Sequence, residues 1–319
     1  MAWIEIKEYI LARHTLLKYI REFFYRNDYI EVETPNLINT CAPDTYIDPL
    51  KVYVGTKGPF YLHTSPEMAM KKILNYQLKR IFQICKVYRV EDMDAIHSIE
   101  FTMLEWYREG SYMDLMKEVG DLIRFVGKGL AIKKDRFIKK EYKVYEIEGL
   151  FIEKIGINPF VLTRQELAKE ARLKKLVTVD KKDTWNDIFF KIFIQEIEPA
   201  IKEDSPYFVI DWPSSISSMA KPKGKGKVER FELYIDGIEI ANGYSELMDS
   251  KRLKERFRKE NLARKRLRKE TFHYDREFFH AIDSIHGEYA GVSIGIDRLL
   301  MALLCKEGIS DVLPFRLKV

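Results

Sequence analysis

The chain has 319 residues, 46% of them hydrophobic and 13% aromatic, enough for a large buried core and against wholesale disorder. The formal net charge is +5, a mildly basic balance that suits an acidic partner or a polyanionic substrate. No apolar run approaches the ~20 residues that cross a bilayer, and the N-terminus mixes charged with apolar residues, unlike a secretory signal. Cys41, Cys85 and Cys305 are far apart and odd in number. They form neither a disulfide framework nor a metal-type spacing, so free thiols in a reducing cytoplasm are expected.

In chain order, residues 6–27 carry Ile10, Leu11, Leu17, Ile20 and Phe24 at helical spacing. A short strand from Tyr29 to Glu33 stops at Thr34-Pro35, and two more strands are predicted at 51–54 and 60–63. Ser65-Pro66-Glu67 opens a helix, with Ser65 as N-cap and Pro66 in the first turn. Strands follow at 80–91 and 99–107, then a helix at 111–130. The stretch 133–205 changes character, with the pairs Lys133-Lys134 and Lys139-Lys140 and short helical patterns. It reads as an insertion. A strand at 207–211, a flexible basic loop at 221–227, a hairpin at 229–241, a helix at about 249–270 and a strand at 291–296 complete the chain. Strands and helices mix without βαβ alternation, which favours α+β with an antiparallel sheet.

Three stretches concentrate chemistry. Alternation puts Gln83, Cys85, Val87, Arg89 and Glu91 on one strand face, and Phe101, Met103, Glu105 and Tyr107 on one face of the next. If the faces coincide, an arginine, carboxylates, a ring and a phenol meet, which is costly to bury without a ligand; an internal ion pair on a solvated face is the ordinary alternative. In the hairpin, Asp236-Gly237 signals a type I′ turn that pairs Tyr234 with Glu239 and leaves Glu232 diagonal to Glu239. Such a pair can hold Mg²⁺ through oxygens alone, or be two exposed glutamates. Finally, Gly291 to Gly295 is an apolar strand running into a helix with Asp297 and Arg298 in its first turn. Helix N-termini and arginine forks favour phosphate, although Asp297 could simply be a cap. Eleven basic residues lie between Lys251 and Lys269, with only Glu255 and Glu260 among them. They read as a solvated helix face or a docking surface.

Taken together these stretches resemble, in order, the three signature motifs of class II aminoacyl-tRNA synthetases: helix 6–27 with Tyr29–Pro35, Arg89-Val90-Glu91 through Phe101–Tyr107, and Gly291–Leu299. The lysine-specific members match best, through Ser65-Pro66-Glu67, Phe101–Tyr107 and Glu239–Leu247. Only 32 residues precede Glu33, too few for the N-terminal anticodon-binding OB domain of those enzymes. A short core of this kind resembles the elongation factor P–lysine ligase family. The resemblance implies a single catalytic domain over 1–319 and ATP-dependent activation of lysine or β-lysine. It further implies transfer to a lysine side chain of elongation factor P, in a cytoplasmic homodimer with no role for tRNA.

The resemblance also implies roles. Arg89 and Arg298 would be catalytic. ATP would be bound by Arg89, Glu91, His97, Phe101, Glu232, Glu239 and Arg298, with Mg²⁺ on Glu232 and Glu239. The amino-acid substrate would be bound by Glu67, Glu105, Tyr107, Asn242 and Glu246. Plain alternation sets Asn242 opposite Glu239, so a bulge or strand end is required near Gly243. The loop from Asp94 to Glu100 lacks the family's usual arginine before His97 and has Ser98-Ile99 where asparagine-proline is usual. A free-standing core charging tRNA or a small acceptor, and a non-catalytic paralogue, are the alternatives.

Overall fold

A computed structural model describes residues 3–315 apart from 92, 133–136, 138–140, 202, 204 and 218. The lysine pairs at 133–134 and 139–140 therefore lie outside the described residues. Helix α1 (Trp3–Arg26) leads into β1 (Ile30–Glu31). Its buried stripe is Leu16, Ile20, Phe23 and Phe24, whereas the predicted Ile10 and Leu11 are 48% and 54% exposed. Leu11 precedes Ile20 by about two and a half helical turns and so faces the opposite way.

A small sheet of β2 (Leu37–Ile38), β3 (Leu50–Val54) and β4 (Lys57–Leu62) precedes α2 (Glu67–Leu74). Pro66, not the predicted Ser65, takes the N-cap position of α2, and its carbonyl accepts from Met70 N at 2.9 Å. Next come β5 (Arg80–Tyr88), β6 (Glu100–Glu109), α3 (Tyr112–Gly129) and β7 (Lys143–Glu146). Helices α4 (Ile147–Ile155), α5 (Arg164–Leu173) and α6 (Trp185–Ile192) then lead to β8 (Tyr207–Ile210). The basic loop forms a small hairpin, β9 (Pro222–Gly224) with β10 (Lys227–Val228), where Lys223 and Lys227 pair with Asp211 and Glu148. The chain ends with β11 (Arg230–Ile235), β12 (Ile238–Ser245), α7 (Ser250–Arg266), α8 (Arg276–Ser284), β13 (Tyr289–Gly295) and α9 (Ile296–Leu303).

Eight strands make the main sheet in the order β1-β5-β6-β13-β12-β11-β8-β7. The centre is antiparallel, as expected, while β1 with β5 and β7 with β8 form parallel pairs at the two edges. The fold is α+β. The stretch expected as an insertion contributes the edge strand β7 as well as helices α4–α6, whose core includes Phe151 stacked on Phe189 at 4.8 Å.

One face of the sheet packs on α1, α3 and α9. There Phe24 stacks on Phe82 at 4.6 Å and meets Trp106 edge-on at 5.2 Å. Buried in this layer, Glu118 of α3 accepts from Tyr29 Oη at 2.7 Å and Trp106 Nε1 at 2.8 Å. It joins the segment after α1 to the middle of the sheet. Glu118→Ala strands both donors, so stability should fall by about 2–4 kcal/mol, measured as a lower urea midpoint at unchanged slope.

Candidate active site

The opposite face of the sheet floors a cavity of about 360 Å³. Cross-strand partners share a face, so the register builds the floor in rows. One row runs Gln83–Glu105–Ser293–Asn242–Glu232 across β5, β6, β13, β12 and β11. The adjacent row runs Ile81–Tyr107–Gly291–Tyr244–Arg230. The two faces predicted on β5 and β6 therefore coincide. Because β13 lies between β6 and β12, the three chemical stretches, remote in sequence, meet on one surface.

The hairpin turn is as expected: Asp236 and Gly237 both have positive φ, 52° and 74°, and Tyr234 pairs with Glu239. The bulge, however, falls at Ile240. Leu233 pairs with Ala241 while Tyr234 pairs with Glu239, leaving Ile240 extra. That single residue restores Asn242 to the side of Glu239, and both line the cavity. Gly243 has a different task, because a Cβ there would come within 2.7 Å of both Phe231 Cζ and Val292 Cβ on the core side.

At one end of the cavity lie the cations. Arg89 donates from Nε to Thr64 O at 3.2 Å, sits 3.9 Å from Glu91 Oε1 and lies 5.2 Å from the Phe101 ring centroid. Arg298, in the first turn of α9, donates to Ile96 O and Glu239 O, each at 3.2 Å. Both guanidinium groups retain further N–H donors for an anion. Asp297 is a tie rather than a cap: it accepts from Thr102 N at 2.7 Å and pairs with Arg13 of α1. The atypical loop is held from within by His97 N and Nδ1 on Asp94 at 2.8–2.9 Å and from outside by Ile309 N on Ala95 O at 2.7 Å, and His97 lines the cavity.

The other end is acidic. Glu67, Glu105 and Glu246 line it beside Tyr107 and Tyr244. Tyr107 Oη donates to Glu105 at 2.5 Å, and Tyr244 Oη donates to Glu67. Burial, then the charge of Glu67, pushes Glu105 up to about 8. Burial also pushes Glu246 up to about 8, despite the lowering influence of Lys71. Burial and the same carboxylates drive both phenols well up, so they act as neutral donors. Glu246 Oε1 is buried with no hydrogen-bond partner among the described residues. An unsatisfied buried carboxylate oxygen beside two phenols is a receptor for a cationic donor.

Of the sequence-predicted residues, Glu67, Arg89, Glu91, His97, Phe101, Glu105, Tyr107, Glu239, Asn242, Glu246 and Arg298 all line this cavity. Glu232 does not. It is buried within the floor row, beside the cavity, accepting from Arg230 Nη2 at 2.5 Å and Tyr234 Oη at 2.6 Å. Burial and the charge of Glu239 push it up to about 8. That repulsion between two carboxylates is what a divalent cation relieves, so the pair fits Mg²⁺ in chemistry, with Glu239 the one at the cavity surface. Sequence reasoning missed Arg230, which also donates to Asn242 Oδ1 at 3.2 Å, and it missed Tyr244 and Lys71. Their signals were present: Tyr244 alternates with Asn242 and Glu246, and Lys71 is four residues past Glu67 on a helix.

The chain was compared with known proteins. The family model for class II tRNA synthetases (D, K and N) matches residues 4–318. The chain belongs to this family. Among curated relatives, an elongation factor P–(R)-β-lysine ligase of Haemophilus influenzae (strain PittGG) is 33% identical over 96% of this chain and 94% of its own length. A homologue of that ligase from Aquifex aeolicus (strain VF5) is 35% identical over 90% of this chain and 92% of its own. The same-named ligase of Pseudoalteromonas translucida (strain TAC 125) is 32% identical over 95% and 93%. ATP use follows from the family. Among the described residues no helix is long and apolar enough to cross a membrane.

Gly291 sits between Tyr107 and Tyr244 in its row, and a Cβ there would lie 2.7 Å from Glu246 Oε1 and closer still to the Tyr107 ring. Gly291→Ala should weaken binding of ammonium-bearing ligands by about 100-fold, equivalent to about 2.7 kcal/mol, while nucleotide affinity changes less than about threefold. Calorimetric titration with each ligand checks this.

Proposed function

We propose that the chain is an ATP-dependent, AMP-forming ligase that activates lysine or β-lysine and transfers it to a lysine side chain of elongation factor P. One observation carries the reading. A single cavity brings three arginines, Arg89, Arg230 and Arg298, together with the carboxylates of Glu67, Glu105 and Glu246 and two phenols, matching an anion and an amine in one ligand set. The names and near-complete overlap of the relatives support the acceptor.

In this reading Arg89 and Arg298 hold the phosphates and Phe101 stacks on adenine, with Glu91 nearby and His97 toward the outer phosphates. Asn242, steadied by Arg230, contacts the substrate carboxylate. Glu67 takes the amino group nearer the carboxylate, and Glu105, Tyr107 and Glu246 take the distal ammonium. Mg²⁺ on Glu239 and Glu232 would neutralise phosphate charge.

The carboxylate, already ionised at neutral pH, attacks the α-phosphorus, forming the aminoacyl adenylate and releasing pyrophosphate. The acceptor lysine amine then attacks the acyl carbon, an amide forms, and AMP leaves with a proton lost from the amine. The first step needs no general base, so Arg89 and Arg298 act by positioning and by meeting developing charge.

We also place the enzyme in the cytoplasm as a homodimer. Ile10, Leu11, Tyr25, Ile30 and Leu37, along α1 and the segment after it, are each at least 42% exposed, apolar side chains that a second copy would cover.

ATP–pyrophosphate exchange tests the first step. We expect exchange with at least one lysine isomer, loss of it on Mg²⁺ chelation, and a fall of about 10²–10³-fold for Arg89→Ala. Absence of exchange with both isomers would overturn the reading. Labelled amino acid should then appear on elongation factor P and not on tRNA; the reverse result would identify a free-standing synthetase core instead.

A further inference from the structure

Lys71 is the most thoroughly enclosed cation of the acidic end. It is 2% exposed, lies on α2 behind the cavity wall and is absent from the wall itself. Its Nζ is 2.6 Å from Glu67 Oε1, 2.5 Å from Glu246 Oε2 and 3.5 Å from Met219 Sδ. The ammonium also lies 5.3 Å from the Tyr244 ring centroid and 6.0 Å from that of Tyr107. All five of these neighbours line the cavity. Lys71 thus touches the wall from behind at every side of the amine-binding end except Glu105.

A buried ammonium so placed is too elaborate for a helix tie alone, since one apolar side chain would pack α2 against the sheet without the cost of desolvating charge. Its effect is on the carboxylates. Glu67 and Glu246 are fixed in position by it. Their charge is also partly neutralised: with all three carboxylates ionised, as in a pocket holding a cationic ligand, one ammonium leaves two negative charges at this end. A diamino acid brings two ammonium groups.

We propose that Lys71 is a positioning, specificity-determining residue: a permanent counter-ion behind the wall that holds Glu67 and Glu246 and sets the pocket's charge to match a substrate with two ammonium groups. This rests on the amino-acid-activating reading above. The groups facing it are Glu67 of α2 itself, Tyr244 and Glu246 at the end of β12, and Tyr107 of β6, with Glu105 beyond. On the α8 side, Asp275 and Glu277 are paired instead with Lys72. Lys71 remains charged: burial pulls it down, but the attraction of Glu246 and Glu67 outweighs this and lifts it to about 12.

The sign of the pH effect follows. The substrate's ammonium binds the ionised carboxylates, and Glu105 and Glu246 in the empty pocket lose their protons near 8. kcat/KM for the amino acid should therefore rise with pH through that region. Removing the cation disfavours ionisation further and moves this limb upward.

The test is ATP–pyrophosphate exchange by the full chain with lysine and β-lysine from pH 6 to 9.5, for wild type, Lys71→Met and Lys71→Arg. We expect Lys71→Met to shift the limb up by about one unit, lowering kcat/KM for the amino acid about tenfold at pH 7. The KM for ATP should stay within about threefold, and Lys71→Arg should keep the wild-type limb. A uniform fall at all pH values with an unmoved limb would overturn the proposal and leave Lys71 a structural tie. Thermal unfolding monitors folding of each variant, and Lys71→Gln, uncharged but able to hydrogen-bond, carries the test where the methionine variant fails to fold. Absence of exchange in the wild type would strike the activation reading itself, whereas wild-type exchange with an unshifted variant strikes only the role of Lys71.

Discussion

Mutual repulsion among carboxylates at the buried end of one cavity governs the site. Glu67, Glu105 and Glu246 converge there from a helix, a central strand and the end of another strand, in surroundings that poorly solvate charge. Without compensation the cheapest response of such a cluster is to take up protons, and Glu105 and Glu246 lean that way in the empty cavity. The phenols of Tyr107 and Tyr244 and the ammonium of Lys71 stabilise part of this charge. What remains, including the unpartnered Glu246 Oε1, is an acceptor set awaiting a cation. Binding of that cation relieves a strain which folding has already imposed, so affinity comes from preorganisation.

Topology makes the convergence possible. Insertion of β13 between β6 and β12 sets Ser293 beside Glu105 and Asn242, and Gly291 beside Tyr107 and Tyr244. Either neighbour without the intervening strand would bring these side chains into direct competition. With it, the glycine leaves room between two phenols, while its strand continues into α9 and delivers Arg298 to the opposite end. The same short segment thus leaves room beside Glu246 and brings Arg298 to the cavity. Asp297, buried and bonded to Arg13 and Thr102, locks that segment onto α1 and β6.

Local rules made much of this legible. Strand alternation put Glu105 and Tyr107 on one face, and the Asp236-Gly237 turn fixed Tyr234 opposite Glu239. Helix spacing found α1 and the buried Ile20 and Phe24, but it added Ile10 and Leu11, which are apolar without facing this chain's core. Position of the bulge was not legible. A glycine at 243 drew the reading there, yet it is demanded by the close approach of Phe231 and Val292, while the extra residue is an ordinary isoleucine. Glu232 was read as a cavity residue because alternation gives a face, not a depth. Lys71 escaped for the opposite reason: a lysine four residues after a glutamate usually means a solvated helix pair, and only tertiary packing buries it.

The charges around the cavity are the basis on which the proposed substrate would be oriented. Arg89, Arg230 and Arg298 line it among Glu91, Glu239 and Asn242, and the carboxylates of Glu67, Glu105 and Glu246 gather beside Tyr107 and Tyr244. In the proposed function a molecule carrying a carboxylate and a distal ammonium would turn its carboxylate to the arginines and its ammonium to the Glu67, Glu105 and Glu246 cluster, where low dielectric strengthens both attractions. The loop from Asp94 to Glu100, read from the sequence as departing from the resembled pattern, is compatible with this arrangement. Asp94 holds the loop from within and Arg298 grips it through Ile96 O, so the neighbouring strand-to-helix segment supplies the fixed charge that the loop itself does not.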